Sequence, residues 1–206
     1  MQAPRKASPA AVVSTAWTRN AGIVCIPVRD NHTAPRTPVE NGALNPHKAG
    51  HYMLVHTQQW ENFVLSLDFK ISKGCNSGIF IRCSDPNKIA AANSYEVNIW
   101  DTRPDPKYGT GAIVDFAAVP VPIVYKAGGK WNTYEITVKG SRVTAVLNGQ
   151  KTVEMDHGAF AQGPFALQFG NAVTVPLGGV TTGLLPSGIT LADGQGRILP
   201  LTFVWP

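Results

Sequence analysis

Apolar and polar side chains alternate along several segments in the middle of the chain. In the segment NFVLSLDFKIS, every second residue from Phe63 to Ile71 is apolar, and the residues between them are mostly polar. The segments YEVNIW and TYEITVKG repeat this two-residue period. A period of two is typical of an antiparallel strand with one buried face. The pattern therefore predicts β-structure from about Val39 to Asn171.

The turn signals in this region favour the same fold class. The segment RVTAVLNGQKTVEM contains two short apolar stretches separated by Asn148 and Gly149, a pair that favours a type I′ hairpin turn. The segment GPFALQFGN is typical of a further strand, and no part of the region has a 3.6-residue apolar period. We therefore predict an all-β fold in which two antiparallel sheets pack face to face.

Both ends of the chain lack the alternation. Residues 1–37 are rich in Pro, Ala and Arg and are predicted to form an irregular N-terminal segment. Residues 38–171 are predicted to form the sandwich domain. Residues 172–206 form an apolar tail interrupted by Gly and Pro, which supplies either one or two edge strands or a loosely attached segment.

Composition narrows the classes of function. A net charge of +5 without any run of Lys or Arg argues against a nucleic-acid partner. No apolar run approaches the roughly 20 residues that a membrane-spanning helix needs. Three cysteines, an odd number without a CxxC spacing, are expected to be free thiols in or near the core. The N-terminal AAVV run is too short to predict a signal peptide.

Two of the predicted strands carry polar side chains on one face. In NSGIFIR, alternation places Gly78 and Arg82 on one face, and in YEVNIWD it places Glu96, Asn98 and Trp100 on one face. If the two strands are neighbours, a guanidinium, a carboxylate and an amide converge beside an aromatic ring, as in sugar-binding sites. From spacing alone, a solvated sheet face with a surface Arg–Glu pair worth less than about 1 kcal/mol is the simpler interpretation.

The loop after the second of these strands, WDTRPDPKYGTGAIVDF, is a second candidate region. It contains Asp101 and Lys107 among several other charges, and polar loops at strand ends often carry function. The sequence contains no GxSxG, HExxH, Walker or GxGxxG motif that would point to another class of enzyme.

The order of these segments resembles a known family. VENGAL, ENFVLSLDFKIS, NSGIFIR, YEVNIWD, GTGAIVDF, GKWNTYEITVKGSRVTAVLNGQ and GPFALQFGN are similar to successive motifs of the 3-keto-disaccharide hydrolase domain family, over about residues 38–171. The resemblance implies a concanavalin A-like, laminin-G-related jelly-roll sandwich. It also implies a periplasmic or extracellular location, although no signal peptide is visible in this chain.

The resemblance further implies a hydrolase of 3-keto-glycosides that removes the C2 proton, expels the C1 oxygen and then adds water. Such a site needs a base, a partner for the enolate and a proton donor. The implied catalytic residues are Glu96 or Asp101 as the base and Arg82 as the oxyanion partner. The implied substrate-binding residues are Asn76, Ser77, Asn98, Trp100 and Lys107.

Two alternatives stay open at this stage. No cofactor is assigned, but a divalent metal ion is an alternative to the arginine, with Glu96, Asp101 and His56 as candidate ligands. The rival function is a non-catalytic carbohydrate-binding module, because laminin-G-like sandwiches often only bind. The sequence leaves the exact sugar, the aglycone and the oligomeric state undetermined.

Overall fold

The structure is a computed structural model that describes residues 59–169 continuously and eight short strands outside that range. The strands in chain order are β1 (Asn20–Ala21), β2 (Ile23–Pro27), β3 (Val39–Glu40), β4 (Ala43–Leu44), β5 (Tyr52–His56), β6 (Phe63–Lys70), β7 (Ser77–Ile81), β8 (Tyr95–Ile99), β9 (Trp131–Lys139), β10 (Arg142–Leu147), β11 (Gln150–Asp156), β12 (Ala166–Phe169), β13 (Ile189–Asp193), β14 (Ile198–Leu199) and β15 (Phe203–Val204). Two 3₁₀ helices cover Ala91–Asn93 and Pro106–Tyr108, and the described residues contain no α-helix.

Two antiparallel sheets form the body of the fold. The six-stranded sheet has the order β11-β10-β9-β6-β13-β14, and the five-stranded sheet has the order β2-β5-β12-β7-β8. Two further strand pairs, β1-β15 and β3-β4, stand apart from these sheets. The prediction of an all-β, two-sheet antiparallel sandwich of the jelly-roll type is confirmed.

The main core lies between the two sheets. Every second residue of β6 from Phe63 to Phe69 is buried, as the two-residue period predicts. The same cluster includes Ile79 of β7, Val97 of β8 and Ile136 of β9, each fully buried. Burial of large aliphatic and aromatic side chains at about 25 cal/mol per Å² is the main stabilising contribution to such a sandwich.

The five-stranded sheet is also buried on its other face, which the sequence pattern did not predict. All five residues of β7 and all five of β8 are buried. A second apolar cluster, against which Ile89 packs, comprises Met53, Val55, Phe80, Cys83 and Ala166. The interpretation of this face as a solvated surface is therefore wrong.

Strands from both terminal segments join the two sheets. β2 lies within the predicted irregular segment and pairs with β5 from Ile23↔His56 to Pro27↔Tyr52. In the tail, β13 pairs with β6 and β14 forms the sheet edge, so the first of the two alternatives for the tail holds there. The domain boundaries themselves stay predictions.

Two of the three cysteines, Cys75 and Cys83, are buried, as expected. The side chain of Cys25 lies outside the described residues. In the part of the chain that the structure describes, no helix combines the length and the apolar character needed to span a bilayer.

Candidate functional site

The candidate site lies on the face of the five-stranded sheet that points away from the main core. Two rows of register partners cross this face, Met53–Gln168–Gly78–Asn98 and Val55–Ala166–Phe80–Glu96. Because partners in an antiparallel ladder point to the same side, Glu96 lies diagonally across from Gly78. We call this surface, built around Gly78, Glu96 and Gln168, the Glu96 face.

The Glu96 side chain folds over Gly78. A Cβ atom built on Gly78 would lie 2.8 Å from Oε1 and 3.1 Å from Cγ of Glu96, which is closer than such atoms approach. A glycine within a strand leaves room for a ligand or another backbone to approach. In the structure, the Glu96 carboxyl group takes that room.

Burial sets the protonation of Glu96. The residue is 7% exposed, and burial raises the pKa of its carboxyl group to about 7, while nearby Arg103 lowers it and Asp115 raises it further. Within residues 59–169, no hydrogen bond to the Glu96 carboxylate is found. Near neutral pH the group therefore populates both protonation states, which is the condition that suits a general acid–base catalyst.

Two side-chain amide oxygens of the site, Oδ1 of Asn76 and Oε1 of Gln168, are buried. Neither has a hydrogen-bond partner among the residues that the structure describes. Gln168 is the register partner of Gly78, and Asn76 precedes Gly78 by two residues, next to the core residue Cys75. Buried acceptors normally have a donor, so these two oxygens are suited to accept hydrogen bonds from hydroxyl groups of a ligand.

The loop after β8 brings charge and an aromatic ring to the end of the Glu96 face. The guanidinium carbon of Arg103 lies 5.5 Å from the centre of the Trp100 ring, within range of a cation–π interaction. The chain then returns alongside β8, where the amide of Val114 donates to the carbonyl of Glu96 at 3.0 Å. The next residue, Asp115, is exposed and adopts φ of 64°, in the left-handed region that is uncommon for a residue other than glycine.

The structure corrects the expectation for Arg82. Its guanidinium is 2% exposed and donates to backbone carbonyls of three separate segments, at Glu61, Gly140 and Phe160, over 2.6–3.2 Å. Arg82 follows the last residue of β7 and has φ of 52°, so the alternation of the strand no longer fixes its direction. It binds loops together and does not share the surface of Glu96.

Asp101 is likewise committed to local structure. Its carboxylate accepts hydrogen bonds from the hydroxyl of Thr110 at 2.6 Å and from the amides of Ala127 and Gly128 at 2.9–3.2 Å. With three donors on its two oxygens, this carboxylate holds the loop after β8 against the loop before β9. The alternative of Asp101 as the base stays a prediction; of the two candidate bases, Glu96 is the one whose carboxylate has no hydrogen-bond donor within residues 59–169.

The side chains of Ser77 and Asn98 also form hydrogen bonds with backbone groups. The Ser77 hydroxyl is fully buried and donates to the carbonyl of Gln168 at 2.7 Å. Asn98 donates to the carbonyl of Tyr108 at 2.5 Å and accepts from the amide of Ile99 at 2.9 Å. Both residues are fully buried and already bonded to the backbone, and their assignment to substrate hydroxyls stays a prediction.

Lys107 lies in the second 3₁₀ helix. Its ammonium group lies 3.7 Å from the carboxylate of Asp105, with both side chains about half exposed, and 5.0 Å from the centre of the Tyr108 ring. Its role in the site stays a prediction.

Sequence reasoning missed three residues of this surface as site candidates. Arg103 and Asp115 were visible as charges in a polar loop, but nothing in their spacing pointed to Glu96. Gln168 had a clearer signal, because it is an amide within the otherwise apolar strand segment FALQF. A polar residue at a position where neighbouring strands bury apolar ones is itself a sign of function.

Comparison with known protein families shows which family this chain belongs to. The model of the 3-keto-alpha-glucoside-1,2-lyase-like domain family matches residues 15–175, which is most of the chain. The chain belongs to this family. The matched range includes β2, which lies in the segment that the sequence pattern left irregular.

Individual relatives of this lyase-like domain are more distant. A 3-keto-disaccharide hydrolase of Bacteroides thetaiotaomicron is 29% identical over 49% of this chain, and the match spans 41% of that protein's length. A crystal structure of a candidate glycosyl hydrolase from Parabacteroides distasonis superposes with a TM-score of 0.58 at 24% identity, covering 75% of this chain and 88% of the other. A carbohydrate-binding module from Bacillus subtilis superposes with a TM-score of 0.52 at 14% identity, covering 84% of this chain and 96% of the other. The two structural matches establish the shared sandwich fold.

The metal alternative finds no support in the lyase-like domain's described residues. They contain no group of three or more His, Cys, Asp or Glu side chains placed to hold a metal ion. Of the candidate ligands, Asp101 is engaged by three hydrogen-bond donors, and the side chain of His56 lies outside the described residues. Among the described residues, Glu96 is thus without companion ligands, whereas divalent ions take several.

Proposed function

We propose that this domain cleaves 3-keto-glycosides and that Glu96 is the base that removes the proton from sugar C2. The observation that carries the proposal is a buried carboxyl group with a pKa of about 7, folded over Gly78, whose register partner Gln168 has an amide oxygen without a hydrogen-bond partner among the described residues. The family match and the name of the Bacteroides relative point to the same substrate class.

The proposed reaction uses the acidity that a ketone at C3 gives to the proton on C2. Glu96 takes that proton, and the C2–H electrons move into an enolate whose charge rests on the C3 oxygen. The enolate then re-forms the ketone while the C1–O bond breaks, which leaves a C1=C2 double bond, and the leaving oxygen takes a proton. Water adds at C1 and a proton returns to C2, so the net change is hydrolysis.

Arg103 takes the role that the sequence assigned to Arg82. Its guanidinium lowers the pKa of Glu96, so it lies within electrostatic reach of the carboxyl group. A fixed positive charge near the developing enolate stabilises the transition state more than the ground state. Protonated Glu96 is then placed to give this proton to the leaving C1 oxygen, since its pKa lies near the pH of the reaction, and the proton later added at C2 comes from water.

The neighbouring groups suit a pyranose ring. The unpartnered oxygens of Asn76 and Gln168 accept hydrogen bonds from sugar hydroxyls, which also removes the cost of leaving buried acceptors unpaired. Trp100 supplies an aromatic surface at the end of β8 for the C–H face of the sugar.

Turnover of a defined substrate tests the proposal. We expect the wild-type protein to release free sugar from 3-keto-trehalose, and we expect Glu96→Gln to lower kcat by at least about 100-fold, the size of a typical general-base contribution. The matched control is Glu135→Gln, which changes an exposed carboxylate on the opposite sheet and is expected to leave kcat unchanged.

Two results would contradict the proposal. Turnover by Glu96→Gln at the wild-type rate would exclude Glu96 as the base. Binding of the 3-keto sugar by the wild type without any turnover would favour the alternative function, a non-catalytic carbohydrate-binding module. The exported location implied by the family stays a prediction, to be checked by fractionating cells that express the full-length protein.

A further inference from the structure

The opposite side of the sandwich carries an exposed tryptophan. Trp131 is the first residue of β9, and 51% of its surface is exposed, although tryptophan is the largest side chain and usually mostly buried. It lies beside an open depression of about 290 Å³ on the outer face of the six-stranded sheet. This side chain has no part in the core or in the Glu96 face.

The polar side chains around this depression are held in place by one another. The Thr133 hydroxyl donates to Oδ1 of Asp68 at 2.6 Å, and the Thr133 amide donates to Oδ1 of Asn148 at 2.9 Å. The amide nitrogen of Asn148 in turn donates to Oδ1 of Asn132 at 3.0 Å. Asn148 occupies the β10–β11 turn with φ of 51°, so the backbone also fixes its position.

This arrangement leaves hydrogen-bonding capacity directed at solvent. A side-chain amide has two N–H donors, and the hydrogen bonds found within residues 59–169 use one of those on Asn148. The Thr133 hydroxyl donates its proton to Asp68, and its oxygen lone pairs can still accept hydrogen bonds. An aromatic wall next to pre-oriented donors and acceptors matches a ring that has one apolar face and hydroxyl groups around its edge.

The size and the lining of the depression restrict the class of ligand further. The volume lies at the lower end of the range for small-molecule sites, about 300–1,000 Å³, which suits a single sugar ring and not a long buried chain. The five lining residues are Asp68, Trp131, Asn132, Thr133 and Asn148, and the charged one among them is acidic. Because four of these five residues are uncharged, an uncharged glycan is favoured.

We propose that this depression is a second carbohydrate-binding site, which holds one pyranose ring of an uncharged glycan against Trp131. It lies on the outer face of one sheet, whereas Glu96 lies on the outer face of the other, so the two sites bind independently. The second site anchors the domain to glycan while the Glu96 face acts on a separate sugar.

Affinity electrophoresis in gels that contain laminarin, dextran or pullulan tests the site. We expect at least one of these neutral glucans to retard the wild-type protein, and we expect Trp131→Ala to weaken that binding by about tenfold or more. Asn148→Gly, which keeps a residue suited to positive φ while removing the amide, is expected to weaken binding as well. Val121→Ala, at another exposed apolar side chain (60% exposed), is the matched control and is expected to bind as the wild type does.

The readouts separate this proposal from the catalytic one. Glu96→Gln is expected to bind glucan normally, and Trp131→Ala is expected to keep wild-type turnover of 3-keto-trehalose. The second site is excluded if no neutral glucan retards the wild type, if polygalacturonate alone does so, or if a folded Trp131→Ala protein binds as tightly as the wild type.

Discussion

At the scale of single residues, the site depends on the relation between one glycine and one glutamate. Gly78 has no side chain, so the Glu96 carboxyl group can pack against the sheet, where it is desolvated. The loss of water disfavours the charged form and brings the pKa into the range that proton transfer needs. A larger residue at position 78 would fill the space that the carboxyl now occupies.

Gly78→Ala tests this relation. The new Cβ would lie 2.8 Å from Oε1 of Glu96, and because that atom ends a flexible side chain, the carboxyl moves away at little cost to folding. We expect kcat on 3-keto-trehalose to fall by about 10- to 100-fold, the usual effect of displacing a catalytic group by about 1 Å. Steady-state kinetics and a thermal melt measure the two effects.

Gly158→Ala is the matched control for this substitution. A Cβ atom at Gly158 meets no atom within 4 Å, so this change is expected to alter neither kcat nor stability. Wild-type kcat in a well-folded Gly78→Ala protein would show that the position of the Glu96 carboxyl over Gly78 is unimportant.

Single residues were predicted well where strand alternation applied and poorly where it ended. Glu96 lies inside β8, and its parity placed it correctly on one face with Gly78 and its neighbours. Arg82 lies one residue beyond β7, where a left-handed backbone turns the side chain away, and no sequence pattern reveals that turn at a residue other than glycine. The partners of Asp101 come from segments 9 to 27 residues away, and the sequence does not show which loops meet.

At the scale of elements, the site depends on how the ends of β7 and β8 are held. Arg82 joins the end of β7 to segments at Glu61, Gly140 and Phe160. Asp101 joins the end of β8 to the loop before β9. The two charged residues that the sequence proposed for chemistry thus hold the strands that carry Glu96.

Arg82→Met tests the structural role of the guanidinium. Methionine keeps part of the apolar stem but leaves the carbonyl groups of Glu61, Gly140 and Phe160 without their charged donor, so we expect the free energy of unfolding to fall by roughly 1.5–3 kcal/mol. Arg142→Met is the matched control, because Arg142 is exposed and its carboxylate partner Glu154 lies 4.0 Å away. Chemical denaturation of both variants gives the comparison, and equal stabilities would contradict the role assigned to Arg82.

At the scale of the whole molecule, the sequence predicted the architecture but not the covering of its second face. The two-residue period and the turn signals identified β6 to β12, because these strands bury one face in the main core. Alternation alone cannot show that the opposite face of β7 and β8 is also buried, since Gly78, Glu96 and Asn98 look like solvent-facing residues. β2 was missed and the tail strand β13 was left as one of two alternatives, because flanking Pro and Gly residues obscure the period.

The burial of Glu96 predicts a pH dependence of folding stability. The pKa of this group rises from 4.5 to about 7 on folding, so the folded state favours the protonated form. The stabilisation that comes from protonating Glu96 in the folded state is fully present below pH 4.5 and is lost as the pH rises through 7. The resulting loss in the free energy of unfolding is limited to roughly 3 kcal/mol. Between pH 4.5 and 8, the wild type is therefore expected to lose more stability than Glu96→Gln, as measured by urea denaturation. Parallel pH profiles for the two proteins would contradict the raised pKa.

Turnover in D₂O tests the central claim, removal of the C2 proton by Glu96, most directly. If cleavage proceeds through loss of that proton and later hydration, the released 3-keto sugar carries deuterium at C2 after every turnover, as read by ¹H NMR at early times. A sample of the 3-keto sugar incubated without enzyme corrects for spontaneous exchange. The account predicts complete deuteration at C2 with the wild type and neither cleavage nor exchange with Glu96→Gln. Product that retains its original C2 proton would show direct displacement at C1 and would contradict it.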